Sequence, residues 1–333
     1  MSLKLRTLGR TGLKVSPIGL GLAALGRPGY INLGHAEDLE GEYHPAAMEK
    51  RAHDVLDAAW EAGVRYFDAA RSYGQAEAFL GSWLTKRAID PREVTVGSKW
   101  GYTYTAEWRV EAERHEVKEH SLPVLQRQWR ESLSLLRDHL DLYQIHSATI
   151  ESGVLDNRDV LAELARLKGE GMCLGLSLSG PRQVEALRKA MGVVFDGARL
   201  FDSVQATWNL LEPSAASALE EAHAAGMGII IKEALANGRL TDRNRDQSFA
   251  NGRAILQREA ARLSTSLDAL ALSSALARPW ADVVLSGAVT IDQLHSNLAA
   301  LGVAWDEEAD SRLAALAESS EMYWKTRSEL AWN

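Results

Sequence analysis

The chain has 333 residues, 46% hydrophobic and 25% charged, an ordinary globular mixture with enough chain for one large core. Its net charge is −8 with no basic run, which argues against nucleic acid as the main partner. The longest uncharged run, Gln293–Trp305, is well short of the roughly 20 apolar residues of a membrane span. The N-terminal MSLKLRTLGR lacks the apolar stretch of a secretory signal. A single cysteine, Cys173, excludes an internal disulfide and a multi-cysteine metal site, and suits a reducing, cytoplasmic setting.

In chain order, Leu3–Val15, with Gly9-Arg10-Thr11-Gly12 at its centre, reads as a hairpin. Ile18–Leu22 is the first of eight short apolar runs. An irregular insert, Gly26–His44, follows it. The later runs are Val64–Asp68, Val94–Lys99, Leu142–His146, Cys173–Ser177, Ser203–Gln205, Gly228–Lys232 and Val283–Ser286. Runs rich in Val and Ile and bounded by Gly read as buried parallel strands. Helical patterns separate them. Asn157 caps one whose face is Val160, Leu161, Leu164 and Leu167, with Gly169 as its stop. Pro213 falls in the first turn of another, ended by Gly226. Thr290 caps a third bearing Leu294, Leu298 and Leu301. Asp306–Asn333 reads as a C-terminal helix and tail.

No linker composition interrupts this alternation, so residues 1–333 read as one domain. Eight strand–helix units predict an α/β fold, the (β/α)8 TIM barrel, with an N-terminal β-hairpin and a C-terminal helix and tail. A doubly wound open sheet would carry a G-x-G-x-x-G turn after its first strand, and none is present.

In such barrels the reactive groups lie at the C-terminal ends of the strands. Asp68 ends the second run, Lys99 the third and His146 the fourth, and Tyr73 follows Asp68 by five residues. A tyrosine is a poor acid near neutrality; an adjacent ammonium favours its phenolate and lowers its pKa. A carboxylate beside that lysine fixes it, and a histidine orients a carbonyl oxygen. The set describes a proton donor for reducing an aldehyde or ketone. None of these groups stores two electrons, so a hydride must come from a bound cofactor.

Cys173 sits in an apolar run and reads as a small core residue rather than a nucleophile. His115 and His120 have a metal-like spacing without an evident third ligand, and read as part of a solvated charged loop. Trp100, beside Lys99, and Tyr102 are expected to line the substrate pocket, with Trp324 of the tail.

Across nearly its whole length the chain resembles the aldo-keto reductases. The stretches LRTLGRTGLKVSPIGLGLAALG, VRYFDAARSYGQAEAFLGSWL, VGSKWG, LDLYQIHSA, SVQATWNLLEP, IIIKEALANGRLTD and SGAVTIDQLHSNLAAL carry the resemblance in family order. It implies that Tyr73 is the general acid, with Lys99, Asp68 and His146 as its partners. It implies that Ser177 and Gln205 hold a nicotinamide carboxamide beside Gly21 and Leu22. Leu235, Asn237, Gly238 and Arg239 would lie in the loop over the pyrophosphate, Lys232 near the nicotinamide, and Gly287, Ala288, Gln293 and Asn297 at the adenosine end. Three departures stand out. Leu178 replaces the usual Asn, Lys232-Glu233 replace an aromatic-Ser pair, and Val289 stands where relatives place Arg or Lys. The resemblance implies NADP(H), while the lack of a cation in Ser286–Thr290 leaves NAD(H) open. The implied partner is a small carbonyl, alcohol or sugar. A nucleotide-binding regulatory barrel like the potassium-channel β subunits is the alternative, disfavoured by the intact four residues. A cofactor-independent barrel hydrolase or isomerase is a third. Oligomeric state is left open.

Overall fold

Eight parallel strands hydrogen-bond in a closed ring. They are β1 (Ile18–Gly21), β2 (Tyr66–Asp68), β3 (Thr95–Trp100), β4 (Leu140–Ala148), β5 (Cys173–Leu178), β6 (Ser203–Thr207), β7 (Gly228–Lys232) and β8 (Val283–Ser286). This computed structural model describes residues 3–333, and it is the predicted (β/α)8 barrel.

The helices that follow the strands are α1 (Pro45–Glu61), α2 (Ala76–Lys86), α3 (Leu122–Leu136), α4 (Arg158–Gly169), α5 (Gln183–Met191), α6 (Ala216–Ala224), α7 (Leu267–Leu276) and α8 (Ile291–Leu298). Their starts follow capping chemistry. Asn157 Oδ1 accepts from the Val160 N–H and Thr290 Oγ1 from the Gln293 N–H, satisfying donors that a helix N-terminus leaves unpaired. The main core lies between strands and helices and holds Trp83, Phe67, Leu56 and Leu164.

The N-terminal hairpin, Arg6–Thr7 paired with Lys14–Val15, plugs the lower end of the barrel. Leu8 packs there with Tyr66, Leu142, Ile230 and Val283. Gly9, at φ +49°, comes so close to β7 that a Cβ would sit 2.3 Å from the Gly228 nitrogen, so only glycine fits. The lower end is therefore filled, and the upper end is left for a site.

Four expectations need correction. The C-terminal segment forms two helices, Glu307–Leu313 and Ser320–Ser328, because Asp306 and Ser319 each supply a side-chain cap. They share a satellite core with an extra helix, Ala250–Arg262, through Leu256, Leu313, Tyr323 and Trp324. Leu301 lies beyond α8 in a 3-10 turn and is exposed. Pro213 precedes α6 by three residues, in a turn whose carbonyl accepts from the Ala216 N–H. The segment with His115 and His120 is a half-buried β-ribbon, Glu116–Lys118 pairing with Tyr102–Tyr104, rather than a solvated loop. The His115 ring stacks on Trp332 at 3.8 Å, and His120 Nε2 bonds the His146 carbonyl at 2.8 Å. Among the described residues no helix is long and apolar enough to cross a membrane.

Candidate active site

Asp68, Lys99 and His146 converge at the upper rim because neighbouring strands end there in register, Asp68 opposite Gly97 and Lys99 opposite Gln144. Lys99 and Asp68 form a fully buried ion pair. The ammonium also donates to the Ala69 carbonyl at 2.9 Å and to Tyr73 Oη at 3.3 Å. Asp68 Oδ1 accepts from Gln205 Nε2 at 2.9 Å, with Tyr66 Oη and Gln144 Nε2 at 3.3 and 3.4 Å. The ladder between β4 and β5 slips after Ile145, and Ser147 takes a φ of +52°, a bulge that re-aims the end of the strand. The His146 ring stands edge-on to Tyr73 and Tyr102, at 5.4 and 4.9 Å between centroids.

The electrostatics refine the expectation. Burial, then the charge of Asp68, pushes the Tyr73 phenol well above its ordinary range, and Arg27 is the foremost opposing charge. The lowering expected from Lys99 does not prevail against burial and the nearby Asp68 charge. Burial, then the charges of Lys99, Arg27 and Lys232, holds the His146 imidazole well below its ordinary range, so His146 is neutral.

A cleft of about 440 Å³ lies over these groups. At its inner end it is lined by Gly21, Tyr73, Tyr102, His146 and Gln205. It then passes Lys232, Leu235, Asn237 and Gly238 and reaches Gly287, Ala288, Gln293 and Asn297. Six residues expected at the site do not line it, the first being Lys99, which is fully buried behind Tyr73 and Asp68. Trp100 is fully buried in the main core; side chains alternate along a strand, so Lys99 pointing inward sends its neighbour outward. Leu22 faces the same core for the same reason, although its N–H donates to the Asp68 carbonyl at 2.9 Å. Ser177 is buried, its Oγ accepting from the Ser147 N–H at 2.8 Å, and Ser179 lines the cleft instead. Arg239 is paired with Glu318. Trp324 belongs to the satellite core, and the tail reaches the cleft through Arg327, Leu330 and Trp332.

Lys232 and Glu233 enter a three-member network. Lys232 Nζ donates to Thr207 Oγ1 at 2.7 Å and lies 3.6 Å from Glu233. Arg327 Nε donates to both carboxylate oxygens of Glu233 at 2.9 Å. Burial, against the charge of Glu233, brings the Lys232 ammonium down to about 8. Burial pushes the Glu233 carboxyl up, but the charges of Arg327 and Lys232 outweigh it and leave it at about 2. Burial, aided by Asp202, raises the Cys173 thiol to about 11, so it is not a thiolate nucleophile.

A sequence model of the aldo/keto reductase family matches residues 17–318. The chain belongs to this family. An aldo-keto reductase of Strobilurus tenacellus is 27% identical over 97% of this chain and 94% of its own length. An uncharacterised oxidoreductase of Bacillus subtilis is 26% identical over 89% of this chain and 90% of its own. The solved structure of an aldo-keto reductase from Bacillus halodurans, described as a holo form, superposes with a TM-score of 0.72 over 97% of this chain and 99% of that one, at 23% identity.

This aldo/keto reductase family oxidoreductase has further groups at the cleft that sequence reasoning missed. Arg27, Glu116 and Arg327 line its inner end, and Arg243 its outer end with Asp38 and Asp268. Ser72 Oγ lies 3.4 Å from His146 Nδ1. A residue followed immediately by the Tyr73-Gly74 turn was a fair signal for Ser72. The long insert Gly26–His44 signalled the segment that carries Arg27 and Asp38, but nothing singled out these residues or the others, whose partners are distant in the chain.

Proposed function

We propose that the chain is a nicotinamide-dependent reductase of aldehydes and ketones, working in reverse on the corresponding alcohols or sugars, with Tyr73 as general acid. The observation that carries this reading is the convergence of Tyr73, His146 and the Lys99–Asp68 pair on a cleft that continues to the start of α8.

The cleft residues suit a nicotinamide dinucleotide. The loop from Glu233 to Gly238 has positive φ at Glu233, Ala236, Asn237 and Gly238, the kind of turn that gathers backbone N–H groups around an anion. A Cβ on Gly287 would meet nothing within 4 Å, leaving backbone open before the N-terminus of α8, an end that favours phosphate. Leu235, Asn237, Gly238, Gly287 and Ala288 would hold the pyrophosphate side, with Gln293 and Asn297 at the adenosine side. Gln205, its amide turned by Asp68, would offer Oε1 to a carboxamide beside Gly21. When bound, the reduced cofactor supplies the hydride that no side chain here can carry.

The protein's part is the proton. Its raised pKa keeps Tyr73 a neutral phenol, with the proton in place for a carbonyl oxygen. The phenolate left behind accepts from Lys99 Nζ, already at 3.3 Å, and Arg27 adds a second positive charge nearby. Neutral His146, in the tautomer with Nδ1 accepting from the Ser72 hydroxyl at 3.4 Å, would keep its hydrogen on Nε2 and hydrogen-bond the same carbonyl oxygen without giving up that proton. Titrating tryptophan fluorescence with NADPH and NADH, then assaying aldehydes, sugars and steroids in both directions, tests the reading. Absence of nicotinamide binding would refute it and favour a cofactor-independent barrel.

A further inference from the structure

The inner end of the cleft is walled by charge. Arg27 is 3% exposed yet lines the cavity. Its guanidinium carbon lies 5.1, 5.4 and 4.8 Å from the ring centres of Tyr30, Tyr73 and Trp332. Nη1 donates to the Ser72 carbonyl at 3.1 Å and to Glu116 at 3.0 Å. Nε is buried with no partner, and Nη2 donates to no protein group among the described residues. A buried charged donor without an acceptor is unfavourable. Nε is sealed from the cleft, and a ligand oxygen that met the Nη2 N–H groups would give the guanidinium an acceptor it lacks.

The charge around Arg27 has the same sense. Four cations (Arg27, Lys99, Lys232 and Arg327) face three carboxylates (Asp68, Glu116 and Glu233). Lys232 and Arg327 share the single Glu233, so this end carries one uncompensated positive charge. A neutral carbonyl compound would leave that excess in place, whereas one bearing a carboxylate would cancel it.

We propose that Arg27 anchors a carboxylate on the substrate, so that the enzyme's carbonyl substrates are short oxo acids and its alcohol substrates hydroxy acids. The proposal rests on the reductase reading above and adds the substrate class. The planar guanidinium matches a carboxylate in shape, and such charge-assisted bonds are among the strongest available. Because Arg27 packs against the Tyr73 ring, the carboxylate and the reacting carbonyl belong to one small molecule.

The test compares succinic semialdehyde with its neutral methyl ester, using the full-length protein and reduced cofactor. The wild type should favour the acid in kcat/KM by at least about tenfold, and Arg27→Gln should cut that preference by roughly 10–100-fold, the scale of one charge-assisted hydrogen bond. Arg27→Lys should keep part of it. The ratio is the readout because losing Arg27 also disturbs Tyr73 and slows both substrates. In parallel, succinate titrated into the wild type should change the tryptophan fluorescence saturably, and Arg27→Gln should weaken that binding at least about tenfold. A wild-type ratio near one, or an unchanged ratio in a folded Arg27→Gln variant, overturns the proposal and leaves the reductase reading intact. If Arg27→Gln does not fold, the wild-type ratio and succinate titration decide. If the wild type reduces neither compound and binds no nicotinamide, the reductase reading fails, while succinate binding still decides the anion site.

Discussion

Gln205 and Asp68 stand on strands four apart in a ring of eight, and the Gln205 amide reaches across the barrel to donate to Asp68 Oδ1 at 2.9 Å. That bond ties the acidic partner of Lys99 to the opposite wall. It also fixes which amide atom of Gln205 is free, leaving Oε1 without a partner among the described residues. The Asp68 carboxylate thus ends in a full set of donors, with Lys99 on its other oxygen.

Removing that charge should be expensive. Breaking a buried ion pair by neutralising one partner leaves the other charge uncompensated, at a cost of roughly 3–5 kcal/mol. Asp68→Asn should destabilise the fold by about that amount in urea unfolding. A loss under about 1 kcal/mol would mean that the Ala69 carbonyl and Tyr73 suffice to hold the Lys99 ammonium.

Tyr73→Phe removes the proposed proton donor and little else. The ring keeps its place against His146 and Arg27. Turnover should fall at least about 10²-fold, the scale of losing a general acid, while cofactor Kd changes little. Turnover close to wild type in stopped-flow or steady-state assays would remove Tyr73 from the role.

The eight strands were legible because parallel strands buried on both faces read as near-continuous apolar runs, and Asp68, Lys99 and His146 stood out as polar ends to those runs. Trp100 was misread although the period-2 rule was sufficient to turn it away from Lys99. Arg27 and Arg327 were not legible, since their carboxylate partners lie 89 and 94 residues away in the chain. Local pattern cannot report such pairings. The same limit hid the tail: Trp324 and Trp332 look alike in sequence, and only packing decides that Trp332 roofs the cleft.

On the proposed nicotinamide dependence, with Lys232 near the ring, the cofactor's redox forms become distinguishable by pH. The Lys232 ammonium, brought down to about 8, is largely charged at pH 7 and neutral at pH 9. A positive charge beside the nicotinamide disfavours the cationic oxidised ring. Affinity for the oxidised form relative to the reduced form should therefore rise between pH 7 and 9. Lys232→Met should show the high relative affinity already at pH 7, with no pH dependence from this group. The stability sign follows as well. Between about 8 and the ordinary lysine value the unfolded chain holds a proton that the native state has lost, so this group makes stability rise with pH in that window. Equal pH profiles for the variant and the wild type in fluorescence titrations would rule out the repulsion.

Coenzyme choice turns on whether a cation is free at the outer end of the cleft. A 2′-phosphate carries up to two charges and needs strong donors once stripped of water. Ser286–Thr290 contains no cation. Only neutral donors stand there: Ser286 Oγ accepts from Asn297 Nδ2 at 2.8 Å and Gln293 Oε1 from the Val289 N–H at 2.9 Å, which leaves the Ser286 hydroxyl and Gln293 Nε2 to face a phosphate without a charge. Arg243 lines this end, but both its terminal nitrogens donate to Asp38, and Nη1 also to the Gly34 carbonyl at 2.8 Å. Asp268 adds a further carboxylate to the lining. The cation is present but spent on Asp38, so NADPH and NADH should differ by less than about 100-fold in Kd, since one charge-assisted contact is worth roughly 1.5–3 kcal/mol. Asp38→Asn should release Arg243 and move the ratio toward NADPH by about tenfold or more. Titrations of wild type and variant with both coenzymes measure the two ratios. A wild-type preference for NADPH above about a thousandfold would mean that Arg243 exchanges Asp38 for the phosphate when the coenzyme binds.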